Sequence, residues 1–568
     1  MMAEVPRLRP ARRGLALSYH GKTLLSTIDP IAQAEKAASS YTIKPRTLYL
    51  VASPLFGYGI SLILDSLPAD SALFALEVDP ALYNATQKEF YRTIPMHIPY
   101  INTSSAAELC NVVRNTWGPR RFRRVEMVTL NAGWTLYEEL YKELLFAIQQ
   151  DMAIDWANAM TLTRLGRLYA RNTLRNLSTL AHRPSLDQFR LDDLPVLLAG
   201  AGPSLDDVLY RLMKAYPQIQ DKQKRSFRII CVDTALKSFL ARSIPVDVVI
   251  ALEAQIWNLE DFIGYDRADF TLAMDLSAHP NTVQVAEDAA YFFYTPWTEL
   301  SFLKRLEQRN LLPTLIPPLG SVGLTATYIA LSVTQGPVYI AGLDFSFTPE
   351  LYHAKSSPGY QRRYCSQTRL QPLSSVSAGF RHDVVKNLDA QGQIVLTDRL
   401  LQRYQNLFIR EFEGVDRLAD LRPWGLDLHI RRGTLEELIG DRGDHPMDPI
   451  VGKEEPVSTA DVLEVSPKEN HKSVSAADKG KSALIRAFLT KEATSLKHLK
   501  AILSGEAPAA AGELDRLLDY CDYLWAHFPE CAAAGRQRPG ISDISFLKRV
   551  RAELDYFIKL VELSLTHL

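Results

Sequence analysis

The stretch Leu197-Leu198-Ala199-Gly200-Ala201-Gly202-Pro203-Ser204-Leu205-Asp206-Asp207 decides the fold. An apolar run ends on two glycines one residue apart, and Ser-Leu-Asp-Asp then suits the first turn of a helix. Apolar strand, glycine turn and helix, in that order, open a parallel α/β unit. Glycine there allows a tight turn and lets backbone amides approach a ligand. The helix starting near Ser204 or Leu205 aims its unpaired N–H groups and positive dipole end at the same spot, which suits phosphate best. Gly200 and Gly202 also read as plain turn residues and Ser204 as a helix N-cap; Gly-x-Gly alone does not separate these readings.

Working outward, a second run, Ile229-Ile230-Cys231-Val232, ends in Asp233, an acid placed where such units commonly reach a ribose hydroxyl. A third run, 246–251, leads into Leu252-Glu253-Ala254-Gln255, and a later one is Val338-Tyr339-Ile340-Ala341. A solvated strand-end acid is the other reading of Asp233 and of Glu253. With helical patterns between them, these runs predict an α/β fold built on a central, Rossmann-like, doubly wound parallel sheet over residues 189–440. Leu48-Tyr49-Leu50-Val51-Ala52, then Gly57 and Gly59, then a second run from Leu73 predict a smaller α/β domain over residues 1–130. Helical spacing (Leu136, Leu140, Leu144, Leu145, Ile148) predicts a connector over 131–188. Residues 441–482 lack aromatics, are rich in Pro, Lys, Glu, Asp and Ser, and read as a flexible linker. Helical stripes resume over 483–568, a helical domain suited to holding a protein acceptor.

Composition narrows the function classes. Hydrophobic content of 47% against 23% charged residues is that of a globular chain able to bury cores. Lys+Arg 64 against Asp+Glu 65 leaves a net charge of −1, which argues against holding nucleic acid or an anionic membrane by bulk charge. Five scattered cysteines without metal-ligand spacing argue for a reducing cytoplasm, and no metal site is expected. Residues 310–343 carry no charge, yet the seven prolines and glycines from Pro313 to Pro337 divide them into loop, short helix and strand, so no membrane span is read. The basic N-terminus lacks the apolar core and cleavage site of an export signal.

Further motifs continue the pattern. Leu319-Gly320-Ser321-Val322 precedes a helix, Ala341-Gly342-Leu343-Asp344-Phe345 ends a strand, and His353-Ala354-Lys355 and Val395-Leu396-Thr397-Asp398 follow. Together with Gly200-x-Gly202-Pro203-Ser204-Leu205, Val232-Asp233-Thr234 and Glu253-Ala254-Gln255, these resemble the central domain of the motility-associated factor family of flagellin glycosyltransferases. The glycine loop and the Gly-Leu-Asp-Phe strand end also resemble bacterial sialyltransferases, and the central domain as a whole resembles the hydroxymethylpterin diphosphokinase MptE-like family. Asn172 and Asn176-Leu177 resemble the flanking regions more weakly.

The resemblance implies transfer of a nonulosonic acid, a pseudaminic- or legionaminic-type sugar, from a CMP donor to Ser or Thr of flagellin, in support of motility. It implies a nucleotide-sugar site from Gly200, Gly202, Pro203, Ser204, Asp233, Glu253, Gln255, Gly320, Ser321 and Thr397. No tightly bound cofactor is expected, although Asp233, Glu253 and Asp344 could together hold Mg²⁺ with a phosphate. The sialyltransferases place a catalytic histidine just before the Thr-Asp motif. Here that place holds Gln393, which cannot serve, so His353 and Asp344 are the substitute candidates; loop hydrogen-bonder and backbone anchor are their structural readings. A diphosphokinase-like phosphotransferase and a non-catalytic flagellin-binding factor stand as alternatives.

Three signals lie outside this set. Ser53-Pro54-Leu55-Phe56-Gly57-Tyr58-Gly59 with Glu77 resembles a degraded methyltransferase cofactor loop whose Pro54 and Phe56 are bulky where close approach is wanted, so a structural domain is favoured. Arg120, Arg121, Arg123 and Arg124 read as a solvated loop or a contact for an acidic partner. Residues 354–380 read as a surface loop or a lid.

Overall fold

The computed structural model describes residues 5–118, 120–264, 269–286, 289–373, 383–440, 476–533 and 537–568. The chain divides into two units, residues 1–164 with 525–543, and residues 165–524 with 544–568.

In the first unit, β1 (Arg7–Pro10), β2 (Leu15–Tyr19) and β3 (Lys22–Thr23) form an antiparallel sheet. Strands β4 (Thr47–Ala52), β5 (Ala72–Glu77), β6 (Tyr100–Asn102) and β7 (Arg124–Val128) form a parallel sheet in the order β6-β5-β4-β7. Every residue of β4 is buried, because alternate side chains feed two cores. Tyr49 and Val51 pack with Ile60 and Phe90 of α2 (Ile60–Asp65) and α3 (Pro80–Thr93), behind α1 (Pro30–Ala38). Leu48 and Leu50 pack with Leu109 of α4 (Ala106–Trp117) and with Tyr141 and Leu144 of α5 (Glu138–Leu180). Leu55 and Phe56 of the Ser53–Gly59 turn are buried against Leu17, Leu24 and Leu82, so the turn's own side chains fill its interior.

The second unit is built on nine parallel strands in the order β13-β12-β11-β10-β9-β8-β14-β17-β18. They are β8 (Val196–Ala199), β9 (Arg228–Val232), β10 (Val248–Ala251), β11 (Thr271–Asp275), β12 (Ala290–Tyr294), β13 (Thr314–Leu315), β14 (Val338–Ala341), β17 (Leu418–Asp420) and β18 (Arg431–Arg432). Chain order runs one way from β8 to β13 and then resumes on the other side of β8 with β14. That reversal at β8 is the topological switch of a doubly wound sheet. Helices α6 (Ser204–Ala215), α7 (Asp233–Leu240), α8 (Ser301–Glu307) and α9 (Val322–Val333) connect the strands. The uncharged stretch 310–343 is thus loop, helix and strand, and no helix of the described residues is long and apolar enough to cross a membrane.

After β14 come α10 (Pro358–Ser366), the antiparallel hairpin β15 (Val384–Leu388) and β16 (Ile394–Asp398), α11 (Arg399–Phe412) and α12 (Leu435–Ile439). Most of the predicted linker, 441–475, lies outside the described residues, and α13 (Ala476–Leu503) begins within its last part. Together with α14 (Glu513–Tyr520) and α16 (Ile544–Thr566), α13 forms the helical C-terminal region; a short α15 (Pro529–Ala533) belongs to the first unit. This region is joined to α8. Asp522 accepts hydrogen bonds from the Ser301 and Phe302 amides, Arg305 pairs with buried Glu492 at 2.7 Å, and Phe302 packs on Phe488 and Tyr523.

Candidate functional site

The glycine turn sits at the carboxyl end of β8, where the strand order reverses. Gly200 N donates to Ala341 O and Gly202 N to Gly342 O, both at 2.8 Å, so this turn runs hard against the turn that leaves β14. A Cβ on either glycine would lie 2.5 Å from an oxygen, Gly342 O in one case and Asp344 Oδ2 in the other. Glycine is needed here for close backbone packing. Pro203 is the N-cap of α6, and Ser204, fully buried, donates its amide to Asp344 Oδ2 at 2.8 Å and its hydroxyl to Asp344 Oδ1. The anion at the α6 N-terminus is therefore a carboxylate of the chain itself.

Burial pushes the Asp344 carboxyl up to about 6, against the pull of Arg422 and the Ser204 hydrogen bonds. Arg422 is itself buried and pairs through Nε and Nη2 with the two oxygens of Asp420, each at 2.9 Å. Its Nη1 donates to Leu343 O at 2.6 Å, and Arg432 reaches Asp420 from outside at 2.7 Å. This network fixes the Gly342–Phe345 turn and closes the crevice between β8 and β14.

The neighbouring helix N-terminus is open. Gly320 is exposed at φ +70°, and Ser321 caps α9 through its backbone while its hydroxyl makes no hydrogen bond among the described residues. No acid stands in the first turn of α9. Leu343 wedges between Gly200 and Gly323, so the Ser321 turn and the glycine turn share one wall.

One strand further, Asp233 opens α7 at the end of β9, nearly buried, with its Oδ1 accepting from Thr234 N at 2.8 Å. Burial lifts its carboxyl to about 6. Asp261 lies on a 3₁₀ segment (Ile256–Phe262) packed on α7, and burial together with nearby Asp233 lifts it to about 8. Two crowded carboxyl groups do not readily ionise together, so one holds a proton at neutral pH. The sequence reading did not single out Asp261; Ile-Trp-Asn-Leu-Glu-Asp carries no motif, and only the fold brings it to Asp233.

Glu253, exposed, follows β10; its Oε1 accepts from Gln255 N at 3.2 Å and its carbonyl from His279 N at 3.0 Å. Gln255 is the N-cap residue of the 3₁₀ segment. Asn172 Nδ2 donates to Ala254 O and Ser277 O, and Asn176 Nδ2 to Leu276 O and Ala278 O, all within 3.0 Å. These two amides pin the turns after β10 and β11 to α5. His353 is half-buried beside Ala201, whose carbonyl accepts from Ala354 N at 2.9 Å, and burial lowers its imidazole so that it is neutral. Thr397 is fully buried and donates to Phe345 O at 2.8 Å, stitching the hairpin under the Asp344 turn. Gln393 is exposed at the hairpin's tip.

The structure thus gathers Gly200, Gly202, Pro203, Ser204, Asp344 and His353 around one turn, with Gly320 and Ser321 beside it. Asp233, Glu253 and Gln255 stand at the ends of the next two strands, and Thr397 lies beneath. Among the described residues no three His, Cys, Asp or Glu converge to hold a metal, so Asp233, Glu253 and Asp344 do not form one cluster.

An open parallel sheet whose polar groups line its carboxyl edge at a switch point is a Rossmann-like, doubly wound α/β fold. Residues 171–350 match the family model of 6-hydroxymethylpterin diphosphokinase MptE-like proteins. The structure of the Maf glycosyltransferase from Magnetospirillum magneticum AMB-1 superposes with a TM-score of 0.52 at 14% identity, over 99% of this chain and 92% of that one. An uncharacterized protein of Treponema pallidum (strain Nichols) is 29% identical over 571 residues, spanning 98% of this chain and 95% of the relative. The chain is Maf-like in fold, with an MptE-like domain in its second unit.

Proposed function

We propose that the protein is an O-glycosyltransferase that moves a nonulosonic acid from a CMP donor to Ser or Thr of flagellin. The observation that carries this reading is the open, acid-free N-terminus of α9, with its unbonded Ser321 hydroxyl, beside the glycine turn and one strand from a protonatable carboxyl pair. In the reaction the acceptor hydroxyl oxygen bonds to the sugar's anomeric carbon, the carbon–oxygen bond to phosphate breaks, and CMP leaves with the electron pair. The α9 amides and Ser321 stabilise the charge gathering on that phosphate. A base takes the hydroxyl proton. Asp344 is committed to Ser204, so the neutral imidazole of His353 or the ionised member of the Asp233–Asp261 pair fills that role. Sugar and acceptor identity rest on the motif resemblance. Any Mg²⁺ would enter with the nucleotide.

The match to the MptE-like model favours a second reading, phosphotransfer from ATP. Thermal stabilisation separates the two: CMP or CDP stabilises the transferase, ATP with Mg²⁺ the phosphotransferase, and Ser321→Ala weakens the response to the true ligand. Intact mass spectrometry of flagellin from cells with and without the gene then reads the reaction. Loss of glycan mass in the deletion, restored by the gene but not by its His353→Ala or Asp233→Asn form, supports catalysis. Full restoration by both variants leaves a non-catalytic flagellin-binding factor.

A further inference from the structure

Arg171 and Arg175 stand four residues apart on α5, which places them on one face. Their neighbours Asn172 and Asn176 fasten that helix to the turns after β10 and β11, so both arginines stand at the sheet's carboxyl edge. The Arg171 guanidinium is oriented by Asn172 Oδ1, which accepts from Nε at 3.0 Å and Nη2 at 2.8 Å and leaves Nη1 uncommitted. Arg175 is half-buried and its guanidinium has no hydrogen-bond or ion-pair partner among the described residues. Both lie close enough to His279 to oppose its protonation.

His279 is 5% exposed, and its Nδ1 accepts from Asn281 N at 3.3 Å. The remaining proton therefore sits on Nε2, a donor with no protein acceptor among the described residues. The acids nearby are engaged otherwise. Asp275 accepts from the Ser277 amide and hydroxyl and the Thr295 amide, and Glu253 accepts from Gln255 N. Two guanidinium groups and one imidazole N–H, partly withdrawn from water and without an ion-pair partner among the described residues, form a donor set that a planar two-oxygen anion satisfies.

We infer that Arg171, Arg175 and His279 form a carboxylate-binding subsite on the carboxyl edge of the sheet. The carboxylate comes either from the sugar acid of the donor or from an acidic side chain of the acceptor protein. That choice of sources rests on the transferase reading, whereas the donor cluster stands without it.

Nuclear magnetic resonance titration of the histidine rings in the full chain tests it, with the His279 signal identified by its loss in His279→Gln. Burial and the two guanidinium groups hold His279 low; an anion seated between them offsets their charge, so the ring's midpoint rises. N-acetylneuraminate raises it by about one pH unit, an effect absent in Arg175→Gln and partly kept in Arg175→Lys. Arg171→Gln provides an independent variant should Arg175→Gln not fold. N-acetylaspartate amide raising it equally supports the subsite and assigns it to the acceptor; a response to the sugar acid alone assigns it to the donor. No response to either carboxylate, or an equal response to inorganic phosphate, overturns the subsite. CMP stabilisation without a His279 response sinks this inference alone. A carboxylate response without CMP stabilisation sinks the transferase reading and leaves the subsite standing.

Discussion

Asp344 and Ser204 satisfy each other away from water, so each is costly to leave alone. Ser204→Ala removes a charge-assisted hydrogen bond from a buried carboxyl and lowers stability by about 1–3 kcal/mol in chemical denaturation. Asp344→Asn costs more at about pH 5, where the folded carboxyl still holds its proton much of the time, than at about pH 8, where ionising the buried group has already removed that stability. Asp261 follows the same sign with a larger shift, and no hydrogen-bond donor meets its carboxyl among the described residues. Its folded value stands near 8 against an ordinary 3.8, so its contribution is fully present in acid and is lost as pH rises through 8. Asp261→Asn therefore raises Tm over the parent at about pH 9 and hardly changes it at about pH 5, as scanning calorimetry at both values reads. The two acids also mark what a sequence shows at this scale. Asp233 is legible because it ends an apolar run. Asp261 is not, since only the folding of a 3₁₀ segment onto α7 gives it a partner charge, and Arg422 reads as a surface arginine until the fold buries it beside Asp420.

The elements were more open to reading. The runs at 197–199, 229–232, 248–251 and 338–341 are strands of the central sheet, buried on both faces and therefore continuously apolar. The segments that form β13, β17 and β18 are only two or three residues long and carry no run, while β11 ends on polar residues and the apolar Ala290-Tyr291-Phe292-Phe293-Tyr294 of β12 is not among the strands read from the sequence. The glycine turn was legible as a turn, but its reason was not: Gly342, some 140 residues on, is what forbids a side chain. Gly202→Ala should leave the chain largely unfolded or insoluble, as circular dichroism would show, because backbone and a buried carboxylate occupy the added carbon's place. Gly320→Ala meets nothing closer than 3.4 Å and suffers only its positive φ, a loss of about 1 kcal/mol. A Gly320→Ala protein as unstable as Gly202→Ala would contradict this contrast. The asparagines of α5 act between elements. Asn176→Ala frees two carbonyls, and the turn after β11 gains hydrogen exchange while β8 stays protected.

At the scale of the molecule, the C-terminal helices are legible as helices from their apolar stripes, yet their attachment is not. Asp522 caps α8 from more than two hundred residues away, and Arg305 meets Glu492 in the interior, pairings no local pattern announces. Asp522→Ala costs about 1 kcal/mol as a lost helix cap. Arg305→Met costs about 3–5 kcal/mol, because Glu492 keeps its buried charge with no counter-ion. A chain ending at residue 440 exposes Phe302 of α8 and aggregates on size-exclusion chromatography; a monodisperse product would show the helical region to be dispensable.

The tie between Ser204 and Asp344 also bears on how the protein comes into being. A nascent chain emerging as far as residue 330 already holds the whole glycine turn and its helix, but neither the amide acceptors nor the carboxylate that close it. Because contacts so distant in sequence assemble slowly, the glycine turn closes in a late step, after the strand that follows α9 has left the ribosome.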